Sequence, residues 1–166
     1  MASNDQQRAA LVRKVSVLCA TSACAALAYL VPIQEGTAYK AYRDPIGIPT
    51  ICNGKTEGVK MGDIATPKEC ADWLGPRLQA ETAYVRSVTR GTLPNTRAVA
   101  LADFTYNVGR GAYARSSILR KLNAGDVAGG CQALTLYIYA GGKVLPGLVQ
   151  RRELEKELCL YETPTH

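Results

Sequence analysis

Hydrophobic and polar positions fall into three regimes along the chain. In the first, Arg8, Arg13 and Lys14 precede seventeen residues without a charge, Val15 to Val31, and the uncharged run continues through Gln34 to Glu35. That length is the lower limit for a helix spanning a bilayer. Basic residues before the segment and a domain after it predict a cytoplasmic N-terminus and an outward-facing domain. The segment is poor in Leu, Ile and Phe, with Ala20, Ala23, Ala25, Ala26 and Ala28 in near succession, so a weak hold on lipid is expected. In the second regime, Tyr39 to Val59, Pro45, Gly47, Pro49, Gly54 and Gly58 interrupt short apolar pairs, which predicts a small β-hairpin lobe.

The third regime carries helical spacing. Thr66-Pro67-Lys68-Glu69 is a capping box with proline at the first helical position, opening a helix whose apolar side is Cys70, Trp73, Leu74 and Leu78. Pro76 is expected to kink it on its way to Val88. A second helix is predicted from Pro94 to Val108, with Gly109 ending it. Ser116 or Ser117 is expected to cap a short helix ending near Gly125, and Asp126 the next, through Cys131, Leu134 and Tyr137. The run from Pro146 to Cys159 places Leu148, Leu154, Leu158 and Cys159 on one face, and Arg152, Glu153, Lys156 and Glu157 on the wet side. The class is α+β, mainly helical.

Length and composition narrow the chemistry. A chain of 166 residues predicts one domain with an appendage, divided as residues 1–31 and 32–166. The formal charge of +6 suits a polyanionic partner, whether nucleic acid, anionic lipid or bacterial cell wall. Nucleic acid is disfavoured, since there is no dense Lys/Arg run and no interleaving of basic and aromatic residues. The only histidine is His166, so Ser-His-Asp, Cys-His and H-E-x-x-H machinery are not expected. The cysteines contain no C-x-x-C, the glycine clusters form no phosphate-binding loop, and neither metal nor cofactor is expected. Carboxylate chemistry remains.

Glu35, Asp44 and Thr50 form an E-x(8)-D-x(5)-T constellation among Gly36, Tyr39, Tyr42, Gly47 and Gly54. Breaking a glycosidic bond needs one carboxyl to protonate the leaving oxygen and a second group to hold a water or to attack directly. The spacing and its flanks resemble the phage-type lysozymes, glycoside hydrolase family 24, over residues 33 to 161. The resemblance implies a two-lobed fold with a hairpin lobe and a helical C-terminal lobe. It makes Glu35 the general acid, and Asp44 with Thr50 the holders of the nucleophilic water. It also implies that Tyr106 and Asn107 line the saccharide cleft. The family's Thr-x-Gly-x-Gly-His is here Thr50-Ile51-Cys52-Asn53-Gly54-Lys55, with Cys in place of the first Gly and Lys in place of His. Its G-L-x-x-R-R-x-x-E run is matched by Gly147, Leu148, Arg151, Arg152 and Glu155. That basic pair suits either wall anions or a solvated helix face.

In a hydrolase of this kind six cysteines point to an oxidising compartment. Sequence does not choose among the possible pairings. The short-range expectation is Cys52 with Cys70 and Cys131 with Cys159, the alternative being thiols packed as small hydrophobes. The N-terminal layout looks like that of the signal-anchor-release endolysins of phages, which implies a host inner-membrane tether through residues 15–31 on the periplasmic face, later released to the periplasm. A signal peptide cleaved after Ala28 and a buried amphipathic helix are the alternatives. The expected function is hydrolysis of the β-1,4 bond between N-acetylmuramic acid and N-acetylglucosamine in peptidoglycan, by a monomer. A membrane-anchored wall-binding protein without turnover and a lytic transglycosylase are the rivals.

Overall fold

The computed structural model describes residues 3–161; His166 lies outside them. A capping box between Ser3 and Gln6 opens α1 (Asn4–Thr21). Ser22 then ends α1 and starts α2 (Ala23–Glu35). Its extended backbone (φ −163°, ψ 149°) donates an N–H to the Leu18 carbonyl at 3.1 Å, while its hydroxyl accepts from the Ala25 N–H at 2.9 Å. One serine thus divides the uncharged segment into two helices, and among the described residues no helix is long and apolar enough to cross a membrane.

Both helices bury one face at helical spacing. Val12, Val15, Ser16 and Cys19 of α1 are buried, as are Ala23, Ala26, Leu27, Leu30 and Val31 of α2. They enter the principal core beside α3 (Pro67–Val88), α4 (Asn95–Val108) and α8 (Pro146–Leu160). Every residue of α4 from Ala98 to Thr105 is buried, because it lies at the centre and touches α1, α2, α3 and α8. The folded state therefore uses the uncharged segment as core.

α2 runs through Pro32 to Glu35 and stops at Gly36, whose φ of +71° a side chain would resist. The chain then forms the hairpin β1 (Ala38–Arg43) and β2 (Pro49–Cys52), paired antiparallel with Ala38 opposite Cys52 and Tyr42 opposite Thr50 and an irregularity between. A small separate core of Ala41, Ile51, Cys52 and Cys70, with Val59, Ala65 and Trp73 against it, holds this lobe together. A disulfide from Cys52 to Cys70 fastens the end of β2 to the first turn of α3. α3 has the Thr66–Glu69 capping box and continues through Pro76 to Val88.

Beyond α4, the short helices α5 (Arg110–Ala114), α6 (Ser117–Asn123) and α7 (Val127–Gln132) close the helical lobe. The hydroxyl of Ser116 and the carboxylate of Asp126 cap α6 and α7. A 3-10 turn (Ala133–Leu136) and a two-residue hairpin, β3 (Tyr139–Ala140) and β4 (Lys143–Val144), lead into α8. A second disulfide, Cys131 to Cys159, joins α7 to α8, and Cys19 and Cys24 are free thiols.

Two expectations are corrected here: the helix capped by Asp126 stops at Gln132, so Leu134 lies in the 3-10 turn and Tyr137 beyond it, and the place of Arg152 differs. Arg152 is not on the wet face of α8: it is fully buried, with Glu155 fully buried and Arg151 nearly so. The spacing of charges is the same on a wet face and on a buried one. What places these residues inside is a set of partners on α4 that is remote in sequence.

Candidate active site

Between the lobes lies a cleft of about 590 Å³, lined by Glu35, Asn53, Trp73, Arg77, Glu81, Tyr106, Asn107 and Arg110 among others. Glu35 reaches it because it is the last residue of α2, where the helix ends at the junction of the lobes. Its side chain is 29% exposed and is ion-paired with Nη1 of Arg151.

Arg151 is fixed from behind. Asp103 on α4 accepts from its Nη2 at 2.8 Å and from its Nε at 3.2 Å, and Glu155 one turn along α8 accepts from its Nε at 3.3 Å. Burial by itself would lower the pKa of this guanidinium, but Asp103, Glu35 and Glu155 outweigh it and hold the charge more firmly than usual. Arg152 extends the network. It donates to Glu155 at 2.6 Å, to the Tyr137 carbonyl at 3.1 Å and to Oδ1 of Asn107, with its guanidinium carbon 4.8 Å from the centre of the Phe104 ring. Three acids surround two arginines. Complete burial, then the neighbouring Asp103 carboxylate, push the pKa of Glu155 well above the usual range against the pull of Arg152 and Arg151.

Tyr106 and Asn107 both line the cleft, but each is partly committed to the protein. The Tyr106 hydroxyl donates to the Asn53 carbonyl at 2.7 Å, tying α4 to the hairpin lobe. Burial, then the charge of Glu35, push its phenol up to about 12. Asn53 is itself anchored, donating to the Gly36 carbonyl at 2.5 Å and to the Thr37 hydroxyl at 2.8 Å. With Oδ1 of Asn107 held by Arg152, its amide nitrogen is the group left for a ligand.

Asp44 and Thr50 lie on the hairpin, outside the residues lining this cleft. Oδ1 of Asp44 accepts the backbone N–H groups of Ile46 at 3.0 Å and Ile48 at 2.8 Å. This closes the loop from within and leaves Oδ2 without a protein donor among the described residues. Thr50 is buried, and its hydroxyl donates to the Ile48 carbonyl at 3.0 Å, so its oxygen remains an acceptor. Cys52, where the sequence departs from the glycine pattern, has φ +57°. The left-handed backbone is kept without glycine, and the side chain serves in the disulfide to Cys70.

Asp103, Trp73, Arg77 and Arg110 were not marked by sequence reasoning. Asp103 sits in an otherwise apolar helical run, and Trp73 reads as part of the apolar side of α3. Among the described residues no group of His, Cys, Asp and Glu is placed to hold a metal ion.

The family model described as phage lysozyme matches residues 33–155. The SAR-endolysin of Pseudomonas phage phiKMV is 41% identical over 140 residues, covering 82% of this chain and 86% of that protein. The SAR-endolysin of Enterobacteria phage PA-2 is 38% identical over 128 residues, covering 76% and 78%. Among solved structures, the muramidase domain of SpmX from Asticaccaulis excentricus superposes with a TM-score of 0.76 at 28% identity, covering 82% of this chain and 96% of that one.

Proposed function

Because this chain belongs to the phage lysozyme family and is a glycosidase that degrades peptidoglycan in host-cell lysis, we propose that it cleaves the β-1,4 bond between N-acetylmuramic acid and N-acetylglucosamine with Glu35 as general acid. The observation that carries this reading is the position of Glu35. It is a carboxyl at the mouth of an interlobe cleft, held by an arginine that is itself locked by buried acids.

In the proposed course the glycan lies across the cleft. Protonated Glu35 gives its proton to the glycosidic oxygen as the bond to the anomeric carbon breaks. Water on the opposite face, accepted by Oδ2 of Asp44 and the Thr50 oxygen, attacks that carbon and leaves its proton on Asp44. This is a single displacement with inversion, and proton exchange with solvent restores both acids. The rigid hold on Arg151 keeps Glu35 oriented without reorganisation during the reaction. Replacing Glu35 by Gln removes the proton donor while keeping the shape. Glu35→Gln is expected to abolish clearing of a peptidoglycan suspension while circular dichroism stays unchanged. Near-normal clearing by the folded variant would refute the assignment. Products ending in an anhydro ring rather than a reducing sugar would replace hydrolysis by lytic transglycosylation.

The tether belongs to the same proposal, and the SAR-endolysin names of the relatives support it. Residues 15–31 hold the protein at the inner membrane, with the domain on the periplasmic face, until release. Leu27, Leu30 and Val31 cannot face lipid and the core at once. The tethered form therefore lacks the packed end of α2 that aims Glu35, and is inactive. Release lets α1 and α2 fold onto α4. Lysis timed against membrane fractionation, before and after depolarisation, tests this; a membrane-bound fraction that already clears peptidoglycan would refute it.

A further inference from the structure

Two arginines in the cleft have no part in the chemistry described above. Arg77 on α3 and Arg110 on α5 line the same cavity as Glu35. They are built alike. The Arg77 guanidinium lies 4.5 Å from the Trp73 ring centre, and its Nη2 donates to both oxygens of Glu57 at 2.8 Å. The Arg110 guanidinium lies 4.8 Å from the Tyr84 ring centre, and its Nε donates to Glu81 at 3.1 Å and 3.3 Å. In each case an aromatic face and a carboxylate fix the plane of the fork. The side chains stay 44% and 46% exposed.

An arginine has five N–H donors. Arg77 keeps those of Nε and Nη1, and Arg110 those of Nη1 and Nη2, without an acceptor among the described residues. The free Nη1 and Nη2 of Arg110 form one edge that matches the two oxygens of a carboxylate, and the free donors of Arg77, which lie on different edges, each offer a single charge-assisted contact. The glycan backbone near the scissile bond is uncharged. The free carboxylates of peptidoglycan are on the peptide stems that hang from the lactyl groups of muramic acid.

We infer that Arg77 and Arg110 form an anion subsite for the stem-peptide carboxylates, so that the cleft discriminates between peptidoglycan with free and with amidated stems. The inference rests on the reading of the cleft as a peptidoglycan site. The rival is structural: the Arg77–Glu57 pair joins the hairpin lobe to α3, and a clasp between lobes would affect every glycan equally.

The test uses soluble glycan fragments with intact stems, and the same fragments with their stem carboxyls converted to amides. Each is titrated into the full chain carrying Glu35→Gln, so that binding is read without turnover. Amidation is expected to weaken binding about tenfold, as the loss of a charge-assisted contact would. Adding Arg77→Gln and Arg110→Gln should bring the two fragments to within about twofold of each other. Adding Arg90→Gln instead, an exposed arginine outside the cleft, should leave the discrimination in place. Equal binding of both fragments before any arginine is changed would overturn the subsite. So would an equal loss for both fragments in the double variant, or a loss of discrimination with Arg90→Gln, which would mark bulk charge. Turnover of the intact fragment by the unsubstituted protein is measured in parallel. Its absence would count against the hydrolase reading and leave the binding result standing.

Discussion

At the scale of single residues, the buried cluster behind Glu35 has a pH signature. Glu155 is an acid whose pKa is raised in the fold, so the folded protein holds a proton that the unfolded chain releases near 4.5. Stability from this group is complete below that value and is lost as pH rises toward the folded pKa. Glu155→Gln removes the titration. Relative to wild type, the variant should gain about 1.4 kcal/mol per pH unit across that window. Thermal melts of both proteins from pH 4 to 8 measure this, and a constant gap would show that Glu155 is ionised throughout. Cys52 allows a second measurement. An L-residue at φ +57° carries a cost that glycine escapes. With the disulfide removed by Cys70→Ala, Cys52→Gly should be more stable than Cys52→Ala by about 1 kcal/mol; equal stability would show that the hairpin relaxes there.

At the scale of elements, much was legible because caps and breakers act locally. Thr66-Pro67-Lys68-Glu69, Ser116 and Asp126 start the helices the sequence assigned to them, and the prolines and glycines after Tyr39 mark the hairpin lobe. Ser22 was not legible as a break, since its neighbours Thr21, Ala23 and Cys24 read as one uncharged run. Only the packing of α1 against α2 rewards an extended residue there. The solvated reading of Arg151 and Arg152 fails because the α4 residues that receive them, Asp103 and Asn107, lie 48 and 45 residues away in sequence. Under the release proposal the same helices satisfy lipid before release and a core after it, and their faces separate the two demands. Ala20, Ala25 and Ala28 are exposed in the fold, whereas Ala26 is fully buried. Leucine at the three exposed positions should strengthen the membrane hold by roughly 1 to 2 kcal/mol and delay lysis, with folded stability changed by less than about 0.5 kcal/mol. Ala26→Leu should instead overpack the core and cost about 1 to 3 kcal/mol. Fractionation with parallel melts separates these effects; normal release of the triple variant would remove the tether from the account.

At the scale of the whole molecule, the decisive question is whether the N-terminus is kept. Cleavage after Ala28 would delete α1 and half of α2, taking Val12, Val15, Cys19, Ala23, Ala26 and Leu27 out of the principal core. Val15 and Leu27 alone, fully buried, represent roughly 1.5 to 3 kcal/mol each. The cavity beside α4 adds to that loss. The sum is comparable with the roughly 5 to 15 kcal/mol that holds a domain of this size together. The two disulfides lie between α7 and α8 and between β2 and α3. Each contributes about 3 kcal/mol by restricting the unfolded chain, but neither reaches the exposed face of α4 that would result. What remains of α2 would be the short stretch from Tyr29 to Glu35, too short to hold helical form without packing, so Glu35 would lose its aim along with the core. Intact mass and N-terminal sequencing of the released, lytically active protein should therefore find the chain beginning before Val12. A protein made to begin at Tyr29 should melt far below the full chain and clear peptidoglycan poorly. If the active periplasmic form instead begins at Tyr29 and matches the full chain in both measurements, the N-terminal helices are a disposable export signal and the release proposal falls.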